Sequence, residues 1–329
     1  MKKNIEIIYE KNFNEKESIF IQGFFANFYL NNKYSRISKE ILLVDLADKI
    51  KSCKNTKANN IRIVLNNNVY EKLIKNCTTE KLNTYLVDLE RNNVPISKST
   101  IKIALKDQAF FDNENILNII KKNKFIYISS EIEEIEKFIK FAKENDFSIN
   151  KENLIFLKNN DDFELFIAEV FGIQDSSRRN KDLERILNQD LKFISRKRND
   201  IESIILSSNS ESSNRLLPAL KFNLLMNLEV FNMPNHYDSW NSSSSTTDLD
   251  FSTGLEFPIL INKLNFGDKS FSSLSSNEKL VYSLGFDMLG FLNDKDYFGF
   301  LGQYSVKNNE VNFNPISISF LDGEIFQRF

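Results

Sequence analysis

A single histidine, His236, is all the imidazole this chain of 329 residues contains, and that fact narrows its chemistry sharply. An H-E-x-x-H zinc site needs two histidines on one helix face, so it is excluded. A Ser-His-Asp triad would have to use His236 as its base, yet no G-x-S-x-G elbow occurs among the nine glycines. Neither G-x-G-x-x-G nor G-x-x-x-x-G-K-[ST] is present, so no Gly-rich turn is available to cradle a phosphate. The acid pairs Glu133-Glu134 and Asp161-Asp162 fall on a helical face and at a helix start, where the helix dipole accounts for them. No nucleophile stands beside a base, so neither catalysis nor a metal or cofactor is expected. The cysteines, Cys53 and Cys77, form no C-x-x-C. They are small buried hydrophobes, or a disulfide if the chain resides in an oxidising compartment.

Two basic clusters are the remaining candidates. Arg178 and Arg179 follow Ser176-Ser177 at the start of a helical pattern, and Arg196-Lys197-Arg198 precedes Asp200 and an apolar strand. Solvation and local ion pairs would explain both, each pair being worth little on a surface. The sharper alternatives are a positive patch offered to an acidic partner, or arginines bracing the turn before Asp200.

The elements that must hold these groups alternate along the chain. Short, mostly apolar runs at Ile5–Tyr9, Ile41–Asp45, Ile61–Leu65, Phe125–Ile128, Leu154–Leu157 and Ile204–Leu206 predict strands. Helical periods lie between them, with Phe20, Phe24 and Phe28 on one face at i, i+4, i+8, and with Asp112 as the expected N-cap of the helix at 113–122. Leu255–Ile261, broken by Pro258, reads as an edge strand or an extended crossing, and the Ser/Thr-rich run from Ser239 to Thr247 reads as a loop. The pattern predicts an α/β fold of two lobes, each a doubly wound parallel sheet, with an interlobe cleft at the strand C-termini. Asn66 and Ser97, after first-lobe strands, and His236 and Tyr237, after a second-lobe strand, are the candidate cleft residues. No internal sequence repeat is visible. With 43 basic and 45 acidic residues, no global field favours nucleic acid or an anionic membrane. The N-terminus shows no apolar run of signal-peptide length, no lipobox cysteine and no spanning segment.

Several of these stretches together resemble one family. They are Ser177 with Arg178 or Arg179, Arg196-Lys197-Arg198 with Asp200, Ile204–Leu206, Leu216-Leu217-Pro218-Ala219-Leu220, and Val230-Phe231 leading to His236-Tyr237. Gly254-Leu255-Glu256-Phe257-Pro258-Ile259-Leu260 and Leu284-Gly285-Phe286-Asp287, the last matched as a helix start, extend the match over roughly residues 170–320. The pattern is similar to the C-terminal domain of the LppC/LpoA family, outer-membrane lipoproteins that activate a class A penicillin-binding protein making peptidoglycan. The resemblance implies a type I periplasmic-binding-protein fold, with a first lobe at 1–107 and 272–294 and a second at 108–271 and 295–329. It implies a non-catalytic regulator in the periplasm at the outer membrane that contacts a class A penicillin-binding protein; charge and motif position make Arg178, Arg179, Arg196 and Arg198 the candidate contact residues. Membrane attachment would come only from a lipid anchor. The alternative is a periplasmic binding protein for an amino acid, sugar or peptide. Within these 329 residues the family's helical-repeat domain and lipobox are not seen, as a truncated start, a lost signal or divergence would each give, and the Phe-Cys-Asp after Gly254 and the Trp near Pro258 are missing.

Overall fold

The computed structural model describes residues 4–31, 40–52, 60–77, 83–89, 96, 99–103, 110–111, 113–158, 162–207, 210–225, 227–233, 247–261, 271, 273–294 and 297–327. The chain divides into two compact units, Met1–Ala109 with Phe257–Pro315, and Phe110–Glu256 with Ile316–Phe329.

Unit 1 is built on an eight-stranded sheet. Its parallel part consists of β1 (Ile5–Tyr9), β2 (Ile41–Asp45), β3 (Ile61–Val64), β4 (Asn83–Val87) and β5 (Thr100–Ile103), in the order β2-β1-β3-β4-β5. Helices α1 (Glu15–Asn31), α2 (Leu46–Ser52) and α3 (Asn67–Asn76) make the crossovers. β1 and β3 read as near-unbroken apolar runs because they are central and covered on both faces. β11 (Phe298–Gly299), β12 (Gly302–Lys307) and β13 (Glu310–Asn314) complete the sheet, β13 lying parallel to β5.

Unit 2 repeats that topology. β6 (Phe125–Ser129), β7 (Leu154–Phe156), β8 (Ser203–Ser207), β9 (Glu229–Asn232) and β10 (Thr253–Glu256) run parallel in the order β7-β6-β8-β9-β10, followed by β14 (Ile316–Leu321) and β15 (Glu324–Gln327) antiparallel. Its helices are α4 (Glu114–Lys122), α5 (Ile132–Glu144), α6 (Phe163–Val170), α7 (Ile173–Leu187) and α8 (Ser210–Phe222). Both sheets therefore share the 2-1-3-4-5 order of doubly wound folds, although the sequence carries no detectable repeat. Tyr127 of β6 stacks on Phe138 of α5 with centroids 4.2 Å apart, one of several aromatic pairs that use the chain's phenylalanines as core.

Some local expectations change. Leu255–Ile261 is not an edge strand: β10 is paired on both sides, by β9 and β14, and Pro258 opens the short helix α9 (Pro258–Ile261). Proline suits a first helical turn, where its missing N–H would lack a partner anyway. The cap of α4 is Asn113, which accepts from the Asn115 amide at 3.0 Å, while Asp112 lies outside the described residues. Asp287 lies well inside α10 (Ser276–Asn293) rather than at a helix start, and α10 begins with a Ser275/Glu278 capping box. Residues 257–271 and 295–315 group with unit 1, whereas the boundaries implied by the family resemblance put them in the second lobe. The reason for the latter is the β13–β5 pairing, a contact some 200 residues apart that no local pattern encodes.

Two further features fix unit 1. α1 crosses α10 closely, because a Cβ on Gly285 would collide with the Phe20 carbonyl oxygen and one on Gly23 with that of Tyr282. Cys77, which caps α3, is buried and disulfide-bonded; the chain's other cysteine, Cys53, lies outside the described residues.

Candidate functional site

In a doubly wound sheet, the strands on either side of the order reversal send their following loops apart, leaving a crevice at their C-terminal ends. In unit 1 that place lies between β1 and β3, and a cleft of about 480 Å³ opens there. Ile8, Tyr9, Leu65 and Val69 form its floor, and Glu10, Asn12, Asn14, Glu17, Asn66, Asn68, Glu71, Lys72 and Lys75 are among its polar walls. The sequence places an asparagine-rich turn after each strand, and both turns start helices. Asn14 and Glu17 cap α1 reciprocally, with the Glu17 amide donating to Asn14 Oδ1 at 2.8 Å and the Asn14 amide to Glu17 Oε2 at 3.0 Å. Asn66 caps α3 by accepting from the Asn68 amide at 2.8 Å, and its Nδ2 donates to Glu17 Oε1 at 3.3 Å.

Asn66 therefore lies in the cleft with its side chain already committed to holding two helix starts together. Lys72 reaches Glu10 at 2.6 Å from the β1 turn and nearly neutralises that wall. Asn12 and Asn68 are exposed. The lining of amides and balanced charges suits an uncharged hydrogen-bonding ligand better than an anion or a metal ion.

The basic clusters come together in unit 2. After α7, residues 191–198 fold back along the helix. The Leu191 amide donates to Glu184 Oε1 at 3.1 Å, Ser177 and Ser195 share a hydrogen bond at 3.0 Å, and the Arg196 amide donates to Ser176 Oγ at 3.0 Å. The serines of the Ser-Ser-Arg-Arg motif thus staple the returning strap to the helix. Arg198 braces the strap's end. Its Nε and Nη2 bind Asp200 at 3.0 and 2.6 Å, its Nη2 also reaches Asn153 Oδ1 at 3.3 Å, and its amide donates to the Phe171 carbonyl at 3.0 Å. The hydrogen bond from Arg198 holds the Asp200 carboxyl below its ordinary value. Arg178, Arg179 and Arg196 are exposed; Arg178 makes only a loose 3.9 Å contact with Asp175. Ser97, His236 and Tyr237 lie outside the described residues.

The cleft residues other than Asn66 were not singled out from the sequence, although the asparagine clusters at 12–14 and 66–68, each directly after an apolar strand, were a usable signal. Among the described residues no group of three His, Cys, Asp or Glu side chains could hold a metal ion. No described helix is long and apolar enough to cross a membrane.

No protein-family profile and no curated protein matches the chain. Solved structures do. The C-domain of LpoA (YraM) from Haemophilus influenzae, described as a regulator of PBP1A, matches over 99% of this chain and 100% of its own, with TM-score 0.62 at 10% identity. Full-length LpoA from the same organism matches over 100% of this chain at TM-score 0.65 and 11% identity, and this chain spans 59% of its length. A putative branched-chain amino acid ABC transporter protein from Chromobacterium violaceum matches over 96% of this chain and 99% of its own, with TM-score 0.59 at 11% identity. The fold is accordingly the two-lobed α/β architecture of periplasmic binding proteins.

Proposed function

We propose that this chain is a non-catalytic regulator of peptidoglycan synthesis that activates a class A penicillin-binding protein by direct contact. One coincidence carries the reading. The LpoA C-domain and the branched-chain amino acid protein share this fold about equally, but the residue pattern at 170–320 resembles the LppC/LpoA family. Within that pattern, Ser176, Ser177, Arg198 and Asp200 build the stapled α7 strap. The disulfide at Cys77 supports residence outside the reducing cytosol, as this reading requires.

The second reading, a small-molecule binding protein, is favoured by the amide-lined cleft at the β1/β3 reversal. One experiment separates them. The purified chain is added to the class A synthase of its own cell, and glycan polymerisation is followed. We expect a several-fold rise in rate that saturates with the chain's concentration. No stimulation and no binding at micromolar concentrations, combined with a thermal shift of several degrees on adding an amino acid, sugar or peptide, would replace this reading with the second.

A further inference from the structure

α7 is an unusual helix for a folded unit. Of its fifteen residues only Ser176 is buried, and its C-terminal half shows an apolar stripe to solvent. Leu183, Ile186 and Leu187, at i, i+3, i+4, are 50%, 77% and 53% exposed, and Ile194 on the returning strap is 81% exposed. Single exposed leucines are ordinary, whereas several brought together on one helix and its strap mark a docking surface. The strap, tied to Ser176, Ser177 and Glu184, leaves Leu183, Ile186 and Leu187 at least half exposed. The charge around the stripe is one-sided. Residues 173–198 hold eight basic and four acidic side chains, in a chain whose net charge is −2. Arg198 is held by Asp200, which leaves Arg178, Arg179, Arg185 and Arg196 among those directed to solvent.

We infer that the exposed face of α7 and its strap is the contact surface for the synthase, and that the synthase meets it with an apolar ridge rimmed by carboxylates. The inference rests on the regulatory reading above. It assigns affinity to Leu183, Ile186, Leu187 and Ile194, which lose water on contact, and on-rate and orientation to the arginines around them. Arg198 becomes a positioning residue that sets the strap rather than a contact. Two other occupants fit less well. A second copy of this chain would bring the same basic rim against itself in a two-fold contact. An anionic bilayer would meet Asp182 and Glu184, which adjoin Leu183 on the same helix, where a membrane-surface helix keeps its flanks basic.

The test compares the full chain with three variants: Ile186→Asp, the pair Arg178→Glu and Arg179→Glu, and Lys140→Glu on α5 as a control at an equally exposed site. Binding to the purified synthase is measured at two salt concentrations, with sedimentation for self-association and vesicles containing phosphatidylglycerol for membrane binding. All four positions are exposed, and circular dichroism verifies folding. We expect Ile186→Asp to weaken binding by tenfold or more at either salt. The arginine pair should weaken it by about tenfold at low salt and less at high salt, and the control should leave it unchanged. Equal binding by all variants overturns the surface while leaving the regulatory reading intact. Absence of binding by the unaltered chain overturns both. If Ile186→Asp abolishes only self-association or only vesicle binding, the surface belongs to another occupant and the inference falls.

Discussion

Replacing Glu6 by alanine should cost unit 1 about 3–5 kcal/mol, the range for breaking a buried ion pair from one side. Glu6 in β1 is 6% exposed and lies between Lys49 of α2 and Arg62 of β3, which are 2% and 1% exposed. Its Oε2 is 2.5 Å from Lys49 Nζ and 3.4 Å from Arg62 Nε, and its Oε1 accepts from Asn60 Nδ2 at 3.0 Å. Removing the carboxylate leaves two buried cations facing each other in a medium that screens them poorly. Replacing the whole triad, Glu6→Leu with Lys49→Met and Arg62→Met, should recover much of the loss, since a buried ion network is worth no more than well-packed apolar residues of similar volume, whereas leaving Arg62 in place would keep one buried cation without this carboxylate. The pH dependence follows from the direction of the shift. Burial alone would raise the Glu6 pKa, but the hydrogen bonds from Lys49 and Asn60 and the two cationic charges hold it below its ordinary value of 4.5. Its contribution is therefore complete above about pH 4.5 and is lost as the pH falls through the lowered folded value. Urea denaturation of wild type and Glu6→Gln from pH 7 down to pH 3 measures this. A stability difference that does not shrink on acidification would mean that the carboxylate is not stabilised as the geometry indicates.

The alternation of strands and helices was legible because parallel strands covered on both faces leave near-continuous apolar runs, unbroken at Ile204–Leu206 and interrupted only by Arg62 at Ile61–Val64. Where the chain leaves one unit for the other was not legible at 295–315, because that placement depends on β13 finding β5. The basic clusters were legible as residue types, and the serines beside them as a pattern. Their division of labour was not. Arg198 is a brace because Asn153, 45 residues earlier, and Phe171 meet it in space, whereas Arg178 and Arg179 stay exposed on the helix. The Glu6–Lys49–Arg62 cluster escaped notice for a related reason. Glu6 and Arg62 each interrupt an apolar run that reads as a buried strand without showing what pairs with the charge, and only pairing of β1 with β3 brings them side by side.

Asp287 should show the opposite pH behaviour. It lies on the buried α10, 2% exposed, and its carboxylate ties the chain's return to that helix. Oδ1 accepts from the Phe300 amide at 3.0 Å and the Tyr297 hydroxyl at 3.2 Å, and Oδ2 from the Leu301 amide at 2.7 Å. Gly299 is required for this approach, because a Cβ there would collide with the carboxylate. Burial pushes the Asp287 carboxyl up to about 6, against the pull of the three hydrogen bonds. A raised folded pKa means that the native state holds a proton the unfolded chain has already released, between the ordinary 3.8 and about 6. Over that window stability rises as the pH falls, by on the order of 2–3 kcal/mol in all at about 1.36 kcal/mol per pKa unit. Two effects therefore separate in the variants. Asp287→Ala strips the acceptor from two backbone amides and should cost about 2–6 kcal/mol at neutral pH, each orphaned donor contributing about 1–3 kcal/mol. Asp287→Asn keeps an acceptor oxygen but has no proton to exchange, so the wild-type gain in stability between pH 6 and pH 4 should disappear in it. The measurement is the difference between the wild-type and Asp287→Asn denaturation curves across pH 4–7.5, which cancels every carboxylate they share. A flat difference would mean that the hydrogen bonds outweigh burial and that Asp287 stays ionised throughout. Either result fixes whether α10 holds residues 297–301 through a charge or through a proton, and so whether mild acid tightens or loosens this part of unit 1.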